Sequence, residues 1–455
     1  MKMNTRSARR TTRVAAALTS SALALATLGC ASTSSNPQAA LTAAQATNAG
    51  NFTTTVFLGD SLTAGYQSGS LLDTQQVNGW PVLVAKQAGF KVVQPLIAYP
   101  GAPNVMQLVS VLNPAGPGII TVTGSTTGRD DFSVQVTDLA VPGATLNDIA
   151  NTVPVVSPTT AQQQINQLVL GYPGLGYGQA YSQATFAIKA NPTTIFLWAG
   201  NNDALIADLT GTPTTMTPVA NFTTQYQALI TQLTTQTSAH LVIANIPDVT
   251  AVPYLQPAAG LLAKYSAGTG LPTTTLSALF GISAGDYVTP AGLSQLSAII
   301  AGTQKTPLSD AGVLTAAEVV TAKANVVAYN QVIAQQATAA GATLVDINAL
   351  FAQVATSGVT INGVTGTSAF LGGVFSLDGV HPTNTGYAVI ANKFIDTMNA
   401  AIKTSIADVN VTTVAAADPL WPTNLLKTTG GKDITLTPEA TNESNKTLIG
   451  NQPQQ

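Results

Sequence analysis

The chain has 455 residues, 45% of them hydrophobic and only 8% charged, against about 25% charged in an ordinary soluble protein. Beyond residue 29 there are 12 basic and 20 acidic side chains, a balance near −8 with no basic patch, which argues against a nucleic-acid partner. One cysteine, Cys30, excludes intrachain disulfides, so packing of an apolar core must hold the fold.

The first element is a leader. "MKMNTRSARRTTR" carries Lys2, Arg6, Arg9, Arg10 and Arg13 and no acid, and the apolar run "VAAALTSSALALATLG" leads directly to Cys30. The run falls short of the roughly 20 residues of a transmembrane helix and fits a secretory signal over residues 1–29. A sole cysteine directly behind such a run resembles a bacterial lipoprotein site, with Cys30 lipidated after cleavage, although Thr27 stands where that motif carries leucine. A plain secreted protein or an uncleaved anchor is the alternative. Arg9-Arg10 fits twin-arginine export poorly. The sparse charge, with Ala, Thr, Gln, Asn and Ser in place of Lys and Glu, suits a protein outside the cytoplasm, and the resemblance at Cys30 implies an extracytoplasmic location in the bacterial cell envelope. Residues 30–50 then read as a tether.

The periodic part begins at residue 51. "TTVFL" (54–58) is a short buried strand, and "WPVLVAKQAG" (80–89) a helix with Pro81 in its first turn and Gly89 past its end. "FSVQVTDLAVPG" alternates, predicting a strand near 134–141 that breaks at Pro142-Gly143. "TTIFLWAG" (193–200), "HLVIANIPD" (240–248) and "ATLVDIN" (342–348) are further strands. "FTTQYQALITQLTTQT" and "AAEVVTAKANVVAYNQVIAQQA" are helical, and from Thr383 the residues Tyr387, Ala391, Phe394, Met398 and Ile402 form one helical stripe. Strand alternating with helix predicts a parallel sheet covered on both faces, a three-layer α/β/α sandwich. Length alone permits two or three domains, but one α/β domain with insertions also reaches this size. The expected division is one domain over 51–404, with an apolar cap inserted at 251–312 and a polar C-terminal tail at 405–455.

In an open α/β sheet, ligands bind beyond the carboxyl ends of the strands. Ser61 follows the strand at 54–58, Gly143 the one near 134–141, and Asn202 the one at 193–199, so all three emerge at one edge. Asp378 and His381 lie three residues apart in "SLDGVHPTNTGY", a loop before the last helix. The other histidine, His240, begins a strand and belongs to the opposite edge, where it reads as a polar loop residue. Each fragment alone has a bland reading as a cap or turn: Asp60-Ser61 is an ordinary helix entry.

Together they are specific. "GDSL" (59–62), the glycine of "VPGAT" at Gly143, "GNND" (200–203) and "DGVH" (378–381) resemble, in order and spacing, the four blocks of the GDSL or SGNH hydrolase family, over about residues 52–400 without the insertion. The resemblance implies a flavodoxin-like fold and a serine esterase or lipase working without a cofactor. It makes Ser61 the nucleophile, His381 the base that takes its proton, and Asp378 the group that orients the imidazole. The backbone N–H groups of Ser61 and Gly143 and the Asn202 side-chain amide would donate to the oxyanion. Gly143 would be glycine so that the reacting carbonyl can approach the main chain, and Asp60 would shape the turn.

A rival serine sits in "GISAG" (281–285), a G-x-S-x-G match, but "TTTLSALF" before it is a poor strand. Two distant histidines and one cysteine build no zinc site, "GRDDF" reads as a turn, and no phosphate loop implies a nucleotide. The expected partners are an ester or lipid substrate and, through Cys30, a membrane. A carbohydrate acetylesterase of the same family and a catalytically silent surface-binding lipoprotein are the alternatives.

Overall fold

Runs such as TVFLG, TIFLW and HLVIA have no polar face to offer solvent, so a sheet built from them must be covered on both sides. A computed structural model, describing residues 45–109 and 118–429, shows this arrangement. Strands β1 (Thr55–Gly59), β2 (Thr194–Trp198) and β3 (His240–Ala244) are buried along their whole length. With β4 (Thr343–Val345) they form one parallel sheet in the order β1-β2-β3-β4. Leu58 lies beside Leu197, and Thr194 beside His240.

The strand expected near 134–141 is reduced to one parallel bridge, Phe57 to Asp138. Phe57 N–H donates to Thr137 O (2.9 Å) and Leu139 N–H to Phe57 O (2.9 Å), so the segment does run along β1. Its N–H groups at Thr137 and Asp138 both turn to Val93 O, and among the described residues no further strand pairs with it. Counting this segment as the edge, the spatial order of the strands taken in chain sequence is 2-1-3-4-5, the flavodoxin-like order.

The helices that flank the sheet and position the site include α1 (Ser61–Ala64), α2 (Trp80–Ala88), α3 (Leu146–Asn151), α4 (Gln183–Ala190), α5 (Asn201–Leu209), α6 (Val219–Gln236), α7 (Ala316–Ala339), α8 (Ile347–Ser357) and α9 (Asn384–Ile402). α2 and α9 pack together on one face, where Trp80 stacks on Phe394 at 3.9 Å between centroids and meets Phe57 edge-on. α3, α4, α6 and α7 cover the other, where Phe222 stacks on Tyr329 at 4.1 Å. These aromatic contacts seal both faces and make the sandwich three layers deep.

Two regions differ from the simple alternation. Helices 258–269, 273–280 and 290–300 and three two-residue antiparallel strands enclose a small core of their own, including Leu262, Leu276, Phe280 and Leu296. The chain after residue 404, expected as a polar tail, instead folds back on the domain as far as residue 429, with short helices at Val411–Ala417 and Pro422–Thr429. Its weak periodicity has a physical reason. It is held by side chains of α9 rather than by a stripe of its own: Asn392 Nδ2 donates to Val409 O and Asn399 Nδ2 to Ile406 O. The leader, Cys30 and the first part of the tether lie outside the described residues. Among those described, no helix is long and apolar enough to cross a membrane.

Candidate active site

β1 ends at Gly59, and the chain turns at once into α1. Asp60 caps that helix by accepting from Leu62 N–H (3.1 Å), and its other oxygen accepts from Asn201 Nδ2 (2.9 Å). Ser61 is therefore the first helical residue, with its backbone N–H at the positive end of the helix. Burial pushes the Asp60 carboxyl up to about 6, against the lowering effects of Asn201, Leu62 and His381. The turn-shaping role expected for Asp60 thus extends to a tie between β1 and α5.

The loop before α9 places Asp378 and His381, both buried. Asp378 Oδ2 accepts from His381 Nδ1 at 2.9 Å, and Oδ1 accepts from the backbone N–H of His381 (2.8 Å) and Val380 (2.9 Å). The i, i+3 spacing allows the carboxylate to hold ring and backbone of the same residue. Burial alone would raise the Asp378 carboxyl, but the His381 charge and these donors together hold it below the ordinary carboxylate value. The tautomer that donates from Nδ1 leaves Nε2 as the acceptor, as a general base requires.

Asn202 lies in the first turn of α5 and donates from Nδ2 to Ala144 O at 2.9 Å. That bond fixes the amide plane and leaves its second N–H for a ligand. Ser61, Asn202 and His381 line one groove, together with Leu205, Val249, Val252, Phe351 and Val380. Three segments far apart in sequence thus meet at the carboxyl edge of the sheet.

Gly143 is not among the residues lining that groove, though Asn202 ties its neighbour Ala144 to the site. Its reason to be glycine is local. Val141–Ala144 is a turn closed by Ala144 N–H to Val141 O (3.1 Å), with Pro142 second and Gly143 third at φ +79°, the residue pattern of a type II turn. A Cβ there would come within 2.6 Å of Gln162 Oε1. The positive φ and the Gln162 side chain account for the glycine without any substrate.

The remaining sequence candidates fall elsewhere. His240 opens β3 at the opposite edge, as expected, but it is buried rather than a polar loop residue, with Nε2 2.9 Å from Thr343 Oγ1. Ser283 is exposed in a loop that follows a helix (Thr273–Phe280), and its N–H bonds Asp286. It therefore lacks the strand that a nucleophile elbow needs. Asp131 accepts from the backbone and hydroxyl of Ser133, a local turn. Of the expected cap, Val252 lines the groove, and Tyr254 N–H donates to Gly379 O in the Asp378–His381 loop. Groups of three or more metal-ligating side chains do not occur among the described residues.

Sequence reasoning missed several supports. Gln183 on α4 pairs both ways with the Gly59 backbone at 2.9 Å. Asp203 accepts from Leu146 N–H (2.8 Å) and Thr217 Oγ1 (2.7 Å), so α5 is bound to the Gly143 turn. Gly69 N–H donates to Asp378 Oδ2 (2.8 Å), and the Tyr66 ring lies 4.6 Å from the His381 ring. Only the acid of "GNND" signalled any of these in advance.

A family model described as GDSL-like Lipase/Acylhydrolase matches residues 55–394. No curated protein matches. Among solved structures, phospholipase A1 from Streptomyces albidoflavus NA297 and an extracellular lipase from Streptomyces rimosus are each 14% identical, with 77% of this chain and 99% of theirs covered and TM-scores of 0.33. An α/β hydrolase enzyme from the metagenome of Lake Arreo, Spain, is 12% identical, with 76% of this chain and 95% of that one covered and a TM-score of 0.32.

Proposed function

Since the chain belongs to the GDSL-like lipase/acylhydrolase family and is an ester-bond hydrolase, we propose that Ser61, His381 and Asp378 carry out that hydrolysis through an acyl-enzyme intermediate. His381 Nε2 takes the Ser61 hydroxyl proton as Oγ attacks the ester carbonyl, and Asp378 steadies the imidazolium that forms. The Asn202 amide and the Ser61 and Gly143 backbone N–H groups receive the oxyanion. Collapse expels the alcohol, which takes the proton from His381; water then attacks the acyl-enzyme by the same route and releases the acid. The observation that carries this reading is the 2.9 Å Asp378–His381 pair beside the groove that Ser61 and Asn202 share.

The apolar lining by Leu205, Val249, Val252, Phe351 and Val380 supports an acyl chain in the groove, and so a lipid or other fatty ester. The free space supports a second reading. At about 20 Å³ it admits a water or two, which favours a short acyl group such as the acetyl of an esterified carbohydrate. A chain-length series of nitrophenyl esters separates the two. Labelling with a fluorophosphonate and mapping the modified peptide tests the nucleophile; a label on a serine other than Ser61, or none, overturns the assignment and in the second case revives a silent binding protein. The leader and Cys30 support an enzyme anchored by lipid in the bacterial envelope. Incorporation of a labelled fatty acid, abolished by Cys30→Ser, checks this, and a secreted unlabelled protein refutes it.

A further inference from the structure

The back of the Asp378–His381 loop is built by the chain after residue 404. α9, whose first residues follow His381, presents Asn392 and Asn399 seven residues apart on one face. Each pairs both ways with the returning backbone: Asn392 Oδ1 accepts from Val409 N–H (2.7 Å), and Asn399 Oδ1 from Ile406 N–H (2.9 Å). The chain so guided brings Asp418 to the start of α9. There Asp418 Oδ2 accepts from both the backbone N–H (2.8 Å) and the hydroxyl (2.7 Å) of Thr385, while Oδ1 accepts from Leu420 N–H (2.9 Å). Asp418 is 1% exposed and Thr385 fully buried. A buried carboxylate is costly unless its oxygens are used, and this one spends both on the first turn of α9 and on its own turn.

Two further contacts reach the same loop. Leu420 and Leu425 share a cluster with Leu377, the residue before Asp378. Trp421 is seated over Gly366 and Gly373, where a Cβ would come within 2.5 Å of Trp421 Cζ3 and of Pro422 Cδ respectively. Gly373 O in turn accepts from the hydroxyl of Thr383, the cap of α9 (2.8 Å). Both flanks of the loop, Leu377 before it and Thr383–Thr385 after it, are thus held by residues 405–425. None of those residues lines the groove. All of them lie beyond the stretch that the family model matches.

We propose that residues 405–425 form a positioning strap for the Asp378–His381 loop, with Asp418 as the residue that sets the start of α9 and through it the aim of the His381 ring. The proposal rests on the reading of Ser61, His381 and Asp378 given above. Misplacing a reacting group by 1 Å costs about 10² in rate, so a strap that moves the ring by a fraction of that controls kcat.

The test is steady-state kinetics of the full chain against a soluble nitrophenyl ester, at a temperature where circular dichroism shows each variant folded. Asp418→Asn should lower kcat by about 10- to 100-fold with KM unchanged. A purely stabilising strap would lower the melting temperature and leave kcat alone, and that result overturns the proposal. Should Asp418→Asn fail to fold, Thr385→Val against Thr385→Ser decides it: the valine variant loses kcat, the serine variant, which keeps the hydroxyl, recovers it, and equal activity of the two refutes the idea. Ser61→Ala and His381→Ala run alongside. If these keep activity, the catalytic reading has failed; if they lose it while Asp418→Asn does not, only the strap has.

Discussion

The two ends of the central sheet carry similar groups and do different things. At the amino end, His240 meets Thr343, while Thr193 and Thr194 donate their hydroxyls to Asn51 O at 2.7 Å. At the carboxyl end, His381 meets Asp378, and Asp60, Asn201 and Asn202 bond across the strand tips. Both ends hold a buried imidazole with an oxygen partner 2.9 Å away. At the amino end the polar groups close the strand ends, as buried polar groups must. At the carboxyl end they surround a groove, and the imidazole has a carboxylate behind it and a serine beside the same opening. A buried histidine is therefore no sign of chemistry by itself; a carboxylate partner and an open groove are what set His381 apart from His240.

The comparison breaks most visibly if the wrong end is catalytic. Ser61→Ala and His381→Ala should each lower kcat for a nitrophenyl ester by about 10³-fold or more, whereas His240→Gln should leave kcat within about twofold. Loss of activity in the His240 variant would dissolve the contrast. Next in size, Asn202→Ala should cost about 10²–10³ in kcat if its amide meets the oxyanion, and a loss below tenfold would leave Asn202 only its bond to Ala144. Third, His240→Leu should lower stability by about 1–3 kcal/mol, because Thr343 loses its buried partner; denaturant melts give the value, and an unchanged midpoint would show that end to be loosely built.

The smallest effect is electrostatic. Burial raises the carboxyls of Asp60 and Asp203 to about 6 and those of Asp138 and Asp208 to about 7. A carboxyl raised on folding binds its proton more tightly in the native state. Its contribution is full below the unfolded value and is lost as pH rises through the folded one. Unfolding free energy should therefore fall between about pH 4 and pH 7. Asp208 has no hydrogen-bond partner on either oxygen. Asp208→Asn should thus gain on the parent protein by roughly 1–3 kcal/mol between pH 5 and pH 8. Parallel stability profiles for the two would show that this carboxyl does not titrate in that window.

The legibility of the chain follows the range of the forces involved. TVFLG, TIFLW and HLVIA were readable as strands because burial on both faces demands unbroken apolar runs. Asp378 and His381 were readable as a pair because three residues is the span over which a carboxylate reaches both ring and backbone of one neighbour. The seat of Trp421 on Gly366 and Gly373 was not, nor the two asparagine clamps of α9, because a side chain pairing with a distant backbone leaves no period in either segment. The local reason for a glycine at 143 was hidden in the same way: φ +79° and the nearness of Gln162 are invisible in "VPGAT".

By itself the sequence determined the parallel sheet and singled out Ser61, Asn202, Asp378 and His381 as candidates at one of its edges, since apolar runs and short polar turns are local properties. Only the tertiary structure decided that three of these line one groove, that His240 is enclosed, and that the chain after residue 404 packs behind the Asp378–His381 loop. Those outcomes depend on contacts between segments hundreds of residues apart, whose free energy exists only once the sheet has brought them together.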